Sequence, residues 1–301
     1  MDQFVVSIFV LTYNQENYIA QTIESILKQK TNFSFQLVVG EDCSSDNTRA
    51  VCEAFVQSYG HKVKLLPSPE KNMGLIANYM RTIKECDGKY IAICDGDDYW
   101  IDDHKLQKQV DFLEENPEYN IIHTNLNLLL PDGSFQEVLH HKKNYKLSSF
   151  TDLVENNTIY SVTAMFRNIQ KYDELPSWIL KYPYGDLPTY LWTLKNEGEI
   201  YCLEDITAVY RLNIGVASKL VNQKEIVKSI LKDAYKDVNF KNKKKIFQRY
   251  FYNQNCFEIV KLNRQKKYFK AFFKLVPIWI TSPTKLKSLR VYLGSLKKEL
   301  F

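Results

Sequence analysis

Tyr90-Ile91-Ala92-Ile93-Cys94-Asp95-Gly96-Asp97-Asp98-Tyr99-Trp100 is the stretch that decides the fold. Its apolar first half reads as a buried strand, and three carboxylates follow within four positions. Carboxylates this close repel and raise one another's pKa. A hard divalent cation removes the conflict while keeping waters or substrate phosphates as its other ligands. Gly96 permits a tight turn and close ligand approach. Tyr99-Trp100 is expected to form an aromatic wall that shapes the pocket. Acidic residues also favour helix N-termini, which accounts for Asp102 and Asp103 without any ligand. Four residues reading Asp-Gly-Asp-Asp straight after a buried strand point instead to a ligand site. An EF-hand is excluded, because no Glu stands at the required spacing and no helix precedes.

Upstream of that strand the chain repeats one pattern. Phe4 to Leu11 is an apolar strand-like run; Tyr18 to Lys28 carries Ile19, Ile23, Ile26 and Leu27 at helical spacing; Phe35 to Gly40 is a second strand. A helix over Asp46 to Tyr59, a short strand over Lys62 to Leu66 and a helix over Leu75 to Cys86 complete the series. Strands of about five residues alternating with helices of ten to fourteen imply crossover units around a parallel sheet. Sites in such sheets gather where strands end. Here the exits are Thr12-Tyr13-Asn14, Glu41-Asp42 and Asp95 to Asp98, all on one edge, so they can converge. Asp42 is placed to accept a hydrogen bond from a base or ribose donor, while Asp46 reads as a helix cap.

Downstream, an amphipathic helix is expected from Asp102 to Leu113, ended by Asn116-Pro117, then a strand near Asn120 to Thr124. Pro131-Asp132-Gly133 reads as a hairpin turn between Leu126–Leu130 and Phe135–Leu139. Residues 140–157 are polar and irregular, Ser161 to Phe166 reads as a strand, Leu187 to Leu194 as a helix, and Ile200 to Tyr210 carries one more apolar set.

The chain has 301 residues and 45% apolar content, enough for a proper core. No signal peptide is expected at the start and no run approaches the roughly 20 apolar residues of a spanning helix, so a cytoplasmic location is expected. Six cysteines without a CxxC read as free thiols. Five histidines without HExxH argue against zinc; His140 and His141 fall in a loop-like stretch. The net charge of +5 hides an asymmetry: residues 1–218 hold 19 Lys/Arg against 30 Asp/Glu, and residues 219–301 hold 21 against 5. Two regions are therefore expected, a catalytic or binding domain over 1–218 and a basic, aromatic, helical region over 219–301.

The motifs in order resemble a nucleotide-diphospho-sugar glycosyltransferase of the GT-A fold, in the large inverting class called family 2. The likeness rests on Val6 to Asn14 with Tyr18-Ile19 and Ser25-Ile26; on Glu41-Asp42-Cys43-Ser44-Ser45-Asp46-Asn47-Thr48; on Asn72-Met73-Gly74-Leu75 with Asn78; and on Tyr90 to Asp98. It is strong over about 40% of the chain and looser to about residue 215. It implies a Rossmann-like mixed α/β sheet flanked by helices, with the basic helices as a C-terminal extension. It places Thr12 and Tyr13 in the nucleotide pocket, Asp42 on the base imino hydrogen, and Asp95 or Asp97 on the ribose side. Asp97 and Asp98 would hold Mn2+ or Mg2+ and the diphosphate, with the direct ligand open between them.

The family's general base is an acidic residue at the start of a late helix, and Gly185-Asp186-Leu187-Pro188 matches with Asp186. The usual version has two acidic residues there, and this chain has glycine at 185. Tyr210-Arg211 with Asn213, Gly215 and Ser218 resembles a late element in which Arg211 approaches the donor phosphates. Trp192 would either stack on an acceptor sugar or lie in the core. The implied partners are a nucleotide-diphospho-sugar, UDP being mildly favoured, and a glycan or lipid-linked glycan acceptor of bacterial surface polysaccharide synthesis.

The basic tail reads in two ways, as an interfacial anchor on anionic membrane or as helices packed on the catalytic domain with solvated lysines. Phe247, Tyr250, Phe251 and Phe257 fit one aromatic helix, and Pro277 and Pro283 are expected to separate the next from a last helix over Leu286 to Leu300. A nucleic-acid-binding protein is the rival from another class. The acidic body and the lack of a zinc finger or an RNA-binding signature weigh against it. A non-catalytic sugar-nucleotide binder is the other alternative.

Overall fold

The computed structural model describes residues 4–140, 149–171, 173–196, 198–215, 221–281 and 285–300. It divides into two compact units, residues 1–239 and 240–301. His141, Ser218, Lys219 and Pro283 lie outside the described residues.

In the first unit β1 (Val6–Thr12) is buried at all seven positions, as is β2 (Phe35–Glu41). Strands covered on both faces read as unbroken apolar runs, which is why these two are so plain in the sequence. Their covers are α1 (Ile19–Leu27), α2 (Thr48–Tyr59) and α3 (Leu75–Lys84), and α1 buries Ile19, Ile23 and Ile26 along one stripe. β3 (Val63–Leu65) and β4 (Tyr90–Ile93) complete a parallel half-sheet in the order β3-β2-β1-β4. Val6 pairs in register with Phe35 on one side and Tyr90 on the other, so the three motif-bearing exits share one edge.

The second half of the sheet was less legible. β5 (Tyr99–Trp100) is followed by α4 (Lys105–Glu115), β6 (Tyr119–Leu129), β7 (Phe135–Val138) and β8 (Met165–Arg167). A helix, α5 (Phe150–Glu155), lies in the stretch expected to be irregular, capped by Ser149 accepting from Asp152. Then come α6 (Asp186–Thr193) and β9 (Glu199–Arg211). Among the described residues these strands extend the order as β4-β8-β6-β9-β5, with β7 on the side of β6. β8 runs antiparallel to both β4 and β6, and β9 runs parallel to β6, so β9 ends at the same edge as β1, β2 and β4. Short β5 pairs antiparallel with the end of β9, Tyr99 opposite Val209. The result is the mixed, helix-flanked sheet expected.

The expected strand from Ser161 is a 3-10 turn, Ser161–Thr163, before β8 begins. The aromatic wall is also revised. Trp100 is a core residue, 4% exposed, whose Nε1–H donates to the Val162 carbonyl at 2.9 Å. Tyr99 packs its ring against the Arg211 guanidinium at 4.7 Å.

The helix α7 (Gln223–Asp237) belongs to the first unit, burying Ile230, Leu231 and Ala234. Tyr182 donates to Asp233 at 2.9 Å and Trp178 donates to Asp237 at 2.5 Å. The compositional boundary at 218 and the packing boundary at 239 therefore differ by this one well-anchored helix, which holds four Lys against three Asp/Glu. The second unit comprises α8 (Lys243–Arg264), α9 (Tyr268–Thr281) and α10 (Lys285–Leu300). Its small core is Ile259, Ala271 and Leu275, with Tyr252, Leu262, Leu289 and Tyr292 against it. Pro277 does not end α9 but lies inside it.

Candidate active site

The Asp95–Asp98 segment is a tight turn between β4 and β5, closed by the Asp98 N–H on the Asp95 carbonyl at 3.0 Å. It leans on β1: the Gly96 N–H donates to the Leu11 carbonyl at 2.9 Å. A Cβ at Gly96 would stand 2.4 Å from Gln15 Oε1 and 2.9 Å from the Leu11 carbonyl, so only glycine fits. Thr22 of α1 grips the turn from behind, its hydroxyl reaching the carbonyls of Gly96 at 3.0 Å and Asp98 at 2.6 Å. One helix, α1, and strand β1 thus fix the four residues between β4 and β5.

The turn opens on a cleft of about 360 Å³ lined by Thr12, Tyr13, Asp42, Asp95, Asp97 and Tyr210, together with Gln15, Asn78 and Gly215. That volume falls within the roughly 300–1,000 Å³ usual for ligand pockets. Thr12 is buried with no hydrogen-bond partner for its hydroxyl, whereas Tyr13 is half exposed at the rim. Asp42 is 2% exposed and accepts from Met73 N–H at 2.8 Å, Gly74 N–H at 2.9 Å and Asn72 Nδ2 at 3.0 Å. Gly74, at φ 86°, allows the turn that aims these donors. Asp42 therefore holds the 72–74 loop at the mouth of the cleft.

The three acidic residues of the turn face different ways. Asp95 lines the cleft and accepts from the Ser161 hydroxyl at 2.7 Å. Burial, with Asp97 and Asp186 nearby, pushes its carboxyl up to about 7. Asp97 also lines the cleft, and burial raises its pKa against the opposing pull of Arg211. Asp98 is turned inward at 1% exposure: one oxygen accepts the Arg211 backbone N–H at 2.8 Å, and the other has no hydrogen-bond partner. Burial and its two acidic neighbours push Asp98 well above the carboxylate range. Among the described residues no group of three or more His, Cys, Asp or Glu is arranged to hold a metal by itself. A divalent cation nonetheless fits the donors present, because Asp97 offers a desolvated hard oxygen to the cleft and Asp98 carries an unclaimed one behind it. The remaining ligands would come from phosphate or water.

Arg211 sits behind the turn and not in the cleft. Its guanidinium donates to the Asp97 carbonyl and to Gln21 Oε1 and lies over Tyr18 at 4.9 Å. The side chain is 7% exposed and committed to protein partners. Trp192 is likewise internal, 8% exposed, with Lys195 Nζ at 3.2 Å over its ring and its Nε1–H on the Asp173 carbonyl at 3.4 Å. The core alternative for Trp192 is the one this geometry favours.

Asp186 begins α6 and is partly buried. Burial raises its pKa even though the Leu187 N–H opposes the shift. It acts electrostatically on Asp95, on Tyr79 and on Tyr190, whose buried hydroxyl has no hydrogen-bond partner. Ser161, Gln15 and Tyr79 were not singled out from sequence. Ser161 reaches Asp95 only because antiparallel β8 brings its own approach beside the end of β4, a pairing no local pattern announces.

Residues 7–169, more than half of the chain, match the family described as Glycosyl transferase family 2. An uncharacterized protein of Mycobacterium tuberculosis is 28% identical over 206 residues, covering 68% of this chain, and the chain spans only 58% of that protein's length. TuaG of Bacillus subtilis, described as a putative teichuronic acid biosynthesis glycosyltransferase, is 28% identical over 212 residues, 69% of this chain and 79% of TuaG. Among solved structures, S. aureus TarS 1-349 in complex with UDP-GlcNAc superposes with a TM-score of 0.65 at 17% identity, covering 98% of this chain and 80% of that one. The mannosyltransferase PcManGT from Pyrobaculum calidifontis, in complex with GDP-Man and Mn2+, gives 0.64 at 13%, covering 100% and 82%. These two likenesses show the same fold. With the motif-bearing exits on one edge and the match running through all of them, this chain belongs to glycosyl transferase family 2.

Proposed function

We propose that this chain transfers a sugar from a nucleotide-diphospho-sugar to a hydroxyl of a glycan or lipid-linked glycan, with inversion at the anomeric carbon, in bacterial surface polysaccharide synthesis. The observation that carries the reading is the convergence of Thr12, Asp42, Asp95 and Asp97 on one cleft, with Asp186 close enough to raise Asp95. Thr12, Tyr13 and Asp42 receive the nucleoside, and Asp95 takes the ribose side. Asp97 would be the direct ligand of the cation, with Asp98 supporting it from behind. The cation, Mn2+ or Mg2+, neutralises charge on the departing diphosphate when bound. Arg211 serves the diphosphate only indirectly, by holding the turn. Asp186 accepts the proton of the attacking hydroxyl, and a desolvated carboxylate with a raised pKa is the stronger base for that step. TuaG's name and the UDP-GlcNAc in TarS favour a cell-surface glycan and a UDP donor, while GDP-Man in PcManGT keeps a second nucleotide in play. Among the described residues no helix is long and apolar enough to cross a membrane. A lipid-linked acceptor would bring the chain to the cytoplasmic face of one as a peripheral protein, without a nucleic-acid partner.

The test is a panel of UDP-, GDP- and dTDP-sugars, with and without Mn2+, scored by thermal stabilisation. A cognate donor at a hundredfold excess over its Kd stabilises by about 2.7 kcal/mol, a clear rise in Tm. Failure of every donor to stabilise the full chain, with metal present, overturns the assignment. Stabilisation without any transfer to polysaccharide or lipid acceptors leaves a binding protein instead of an enzyme.

A further inference from the structure

Helix α9 turns Ala271 and Leu275 inward and Phe269 and Phe273 outward. Ala271 and Leu275 are buried in the core of the second unit beside Ile259. Phe269 is 84% exposed, Phe272 48% and Phe273 71%. The spacing i, i+3, i+4 puts all three on one face of the helix, opposite the core pair. Single exposed apolar residues are ordinary on protein surfaces, but three phenylalanines side by side on one face are not. Phe272 and Phe273 meet edge to face with centroids 6.2 Å apart, and Phe272 also meets the Tyr292 ring of α10 at 6.2 Å, so Phe269 and Phe273 are the outermost rings of the ridge.

The surroundings say what kind of surface covers that ridge. Residues 240–301 hold 16 Lys/Arg against two Asp/Glu, and one of those two, Glu258, is paired with Lys274. Lys270 on the flank of the ridge and Lys266 at the turn before α9 are both exposed. A second copy of this chain would bring an equally cationic unit against the first, which opposes self-association through this face. Stacking nucleic-acid bases calls for ring faces spaced along a groove, and three phenylalanines on one convex helix face line no groove. A surface that is apolar inside and anionic outside satisfies both features at once.

We infer that the Phe269, Phe272 and Phe273 face of α9 lies in the plane of an anionic lipid bilayer, rings at the headgroup boundary and Lys266 and Lys270 among the lipid phosphates. No described helix is built to cross the bilayer, so the attachment is parallel to the membrane and reversible. This deepens the proposed function by naming the surface on which a lipid-linked acceptor is met. It does not involve the donor cleft, so vesicle binding and donor binding can fail separately.

The test is co-sedimentation of the full chain with phosphatidylcholine vesicles, with and without phosphatidylglycerol, at low and high salt. Binding is expected only with phosphatidylglycerol and should weaken as salt rises. The double variant Phe269→Ser/Phe273→Ser should bind about tenfold more weakly or worse, since each ring contributes through burial at the interface. Lys266→Glu/Lys270→Glu should weaken binding at low salt and flatten the salt dependence. Helix content by circular dichroism should be unchanged in both variants, showing that the second unit folds, and donor-induced thermal stabilisation should be unchanged, showing that the cleft is untouched. Wild-type-like vesicle binding by the phenylalanine double variant overturns the proposal, as does the absence of wild-type binding to phosphatidylglycerol vesicles. Concentration-dependent dimerisation abolished by the same double variant, or displacement of the protein from vesicles by single-stranded nucleic acid without loss in that variant, would assign the ridge to another partner and equally overturn it.

Discussion

The backbone of Gly185 lies against the ring of Tyr79: a Cβ at position 185 would stand 2.5 Å from Cδ1 and 2.6 Å from Cε1. Gly185 has φ −110°, a conformation open to any residue, so the requirement is one of space alone. Tyr79 cannot easily yield, because its hydroxyl is 3.0 Å from Thr189 Oγ1 on α6 and its ring sits edge-on to Phe9 of β1 at 5.1 Å. The first turn of α6, and with it Asp186, is thereby seated on α3 and β1. This accounts for the departure from the usual pair of acidic residues: the first place is filled from the other side by an aromatic ring.

Gly185→Ala should therefore cost about 1–3 kcal/mol of stability through overpacking and reduce transfer while leaving donor affinity largely intact. Tyr79→Ala removes the obstructing ring at its own cavity cost. The double variant should be markedly less destabilised than the sum of the two singles. Denaturant unfolding of the four proteins measures this, and strict additivity would show that the ring and residue 185 do not interact.

Lys105 is fully buried in α4, donating to Gln109 Oε1 at 2.7 Å and lying 4.3 Å over the Trp100 ring. Burial pushes its ammonium down from 10.5 to about 7, against the opposing influence of Cys94 and Asp102. Between those values the unfolded chain holds a proton that the folded one has lost, so this group makes stability rise with pH from about 7 to about 10.5. Lys105→Met should remove that rising limb and, at pH 7, stabilise by about 1–3 kcal/mol once the lost Gln109 contact is counted. Parallel stability curves for variant and wild type across that range would refute the assignment.

What the sequence disclosed and what it hid divide along the sheet. β1, β2 and β4 are continuous apolar runs covered on both sides, so their exits Thr12, Asp42 and Asp95 could be found and placed on one edge. Lys105 could not be found, because a lysine on an amphipathic helix is ordinarily solvated and only the approach of Trp100 reveals the buried position. Ser161 and Arg211 depend on antiparallel pairings, β8 beside β4 and β5 beside β9, between segments far apart in the chain. For the same reason Asp97 and Asp98 are indistinguishable as neighbours in sequence, while the end of β9 draws Asp98 inward and leaves Asp97 at the cleft.

Arg211 supplies the next expectation. Its guanidinium serves the Asp97 carbonyl and Gln21 from a buried position, so Arg211→Met should destabilise the free protein by about 2–4 kcal/mol as well as weaken donor binding. A residue that only met phosphate would leave the unliganded Tm unchanged. Thermal melts with and without donor separate the two.

Asp186 gives the last, and its sign follows from its burial. The proton-accepting form is the carboxylate, and burial raises its pKa above the ordinary 3.8, so the acid limb of the transfer rate should lie above the usual aspartate range, with rate rising as pH increases through it. Asp186→Asn should lower transfer by about 10²–10⁴-fold, abolish that limb, and leave donor Kd within a small factor of wild type, because Asp186 is not among the residues lining the donor cleft. The control is Asp97→Asn, which faces that cleft and should weaken metal-dependent donor binding itself. If Asp186→Asn instead loses donor affinity and keeps its acid limb, the base lies elsewhere, and the first turn of α6 belongs to the donor subsite.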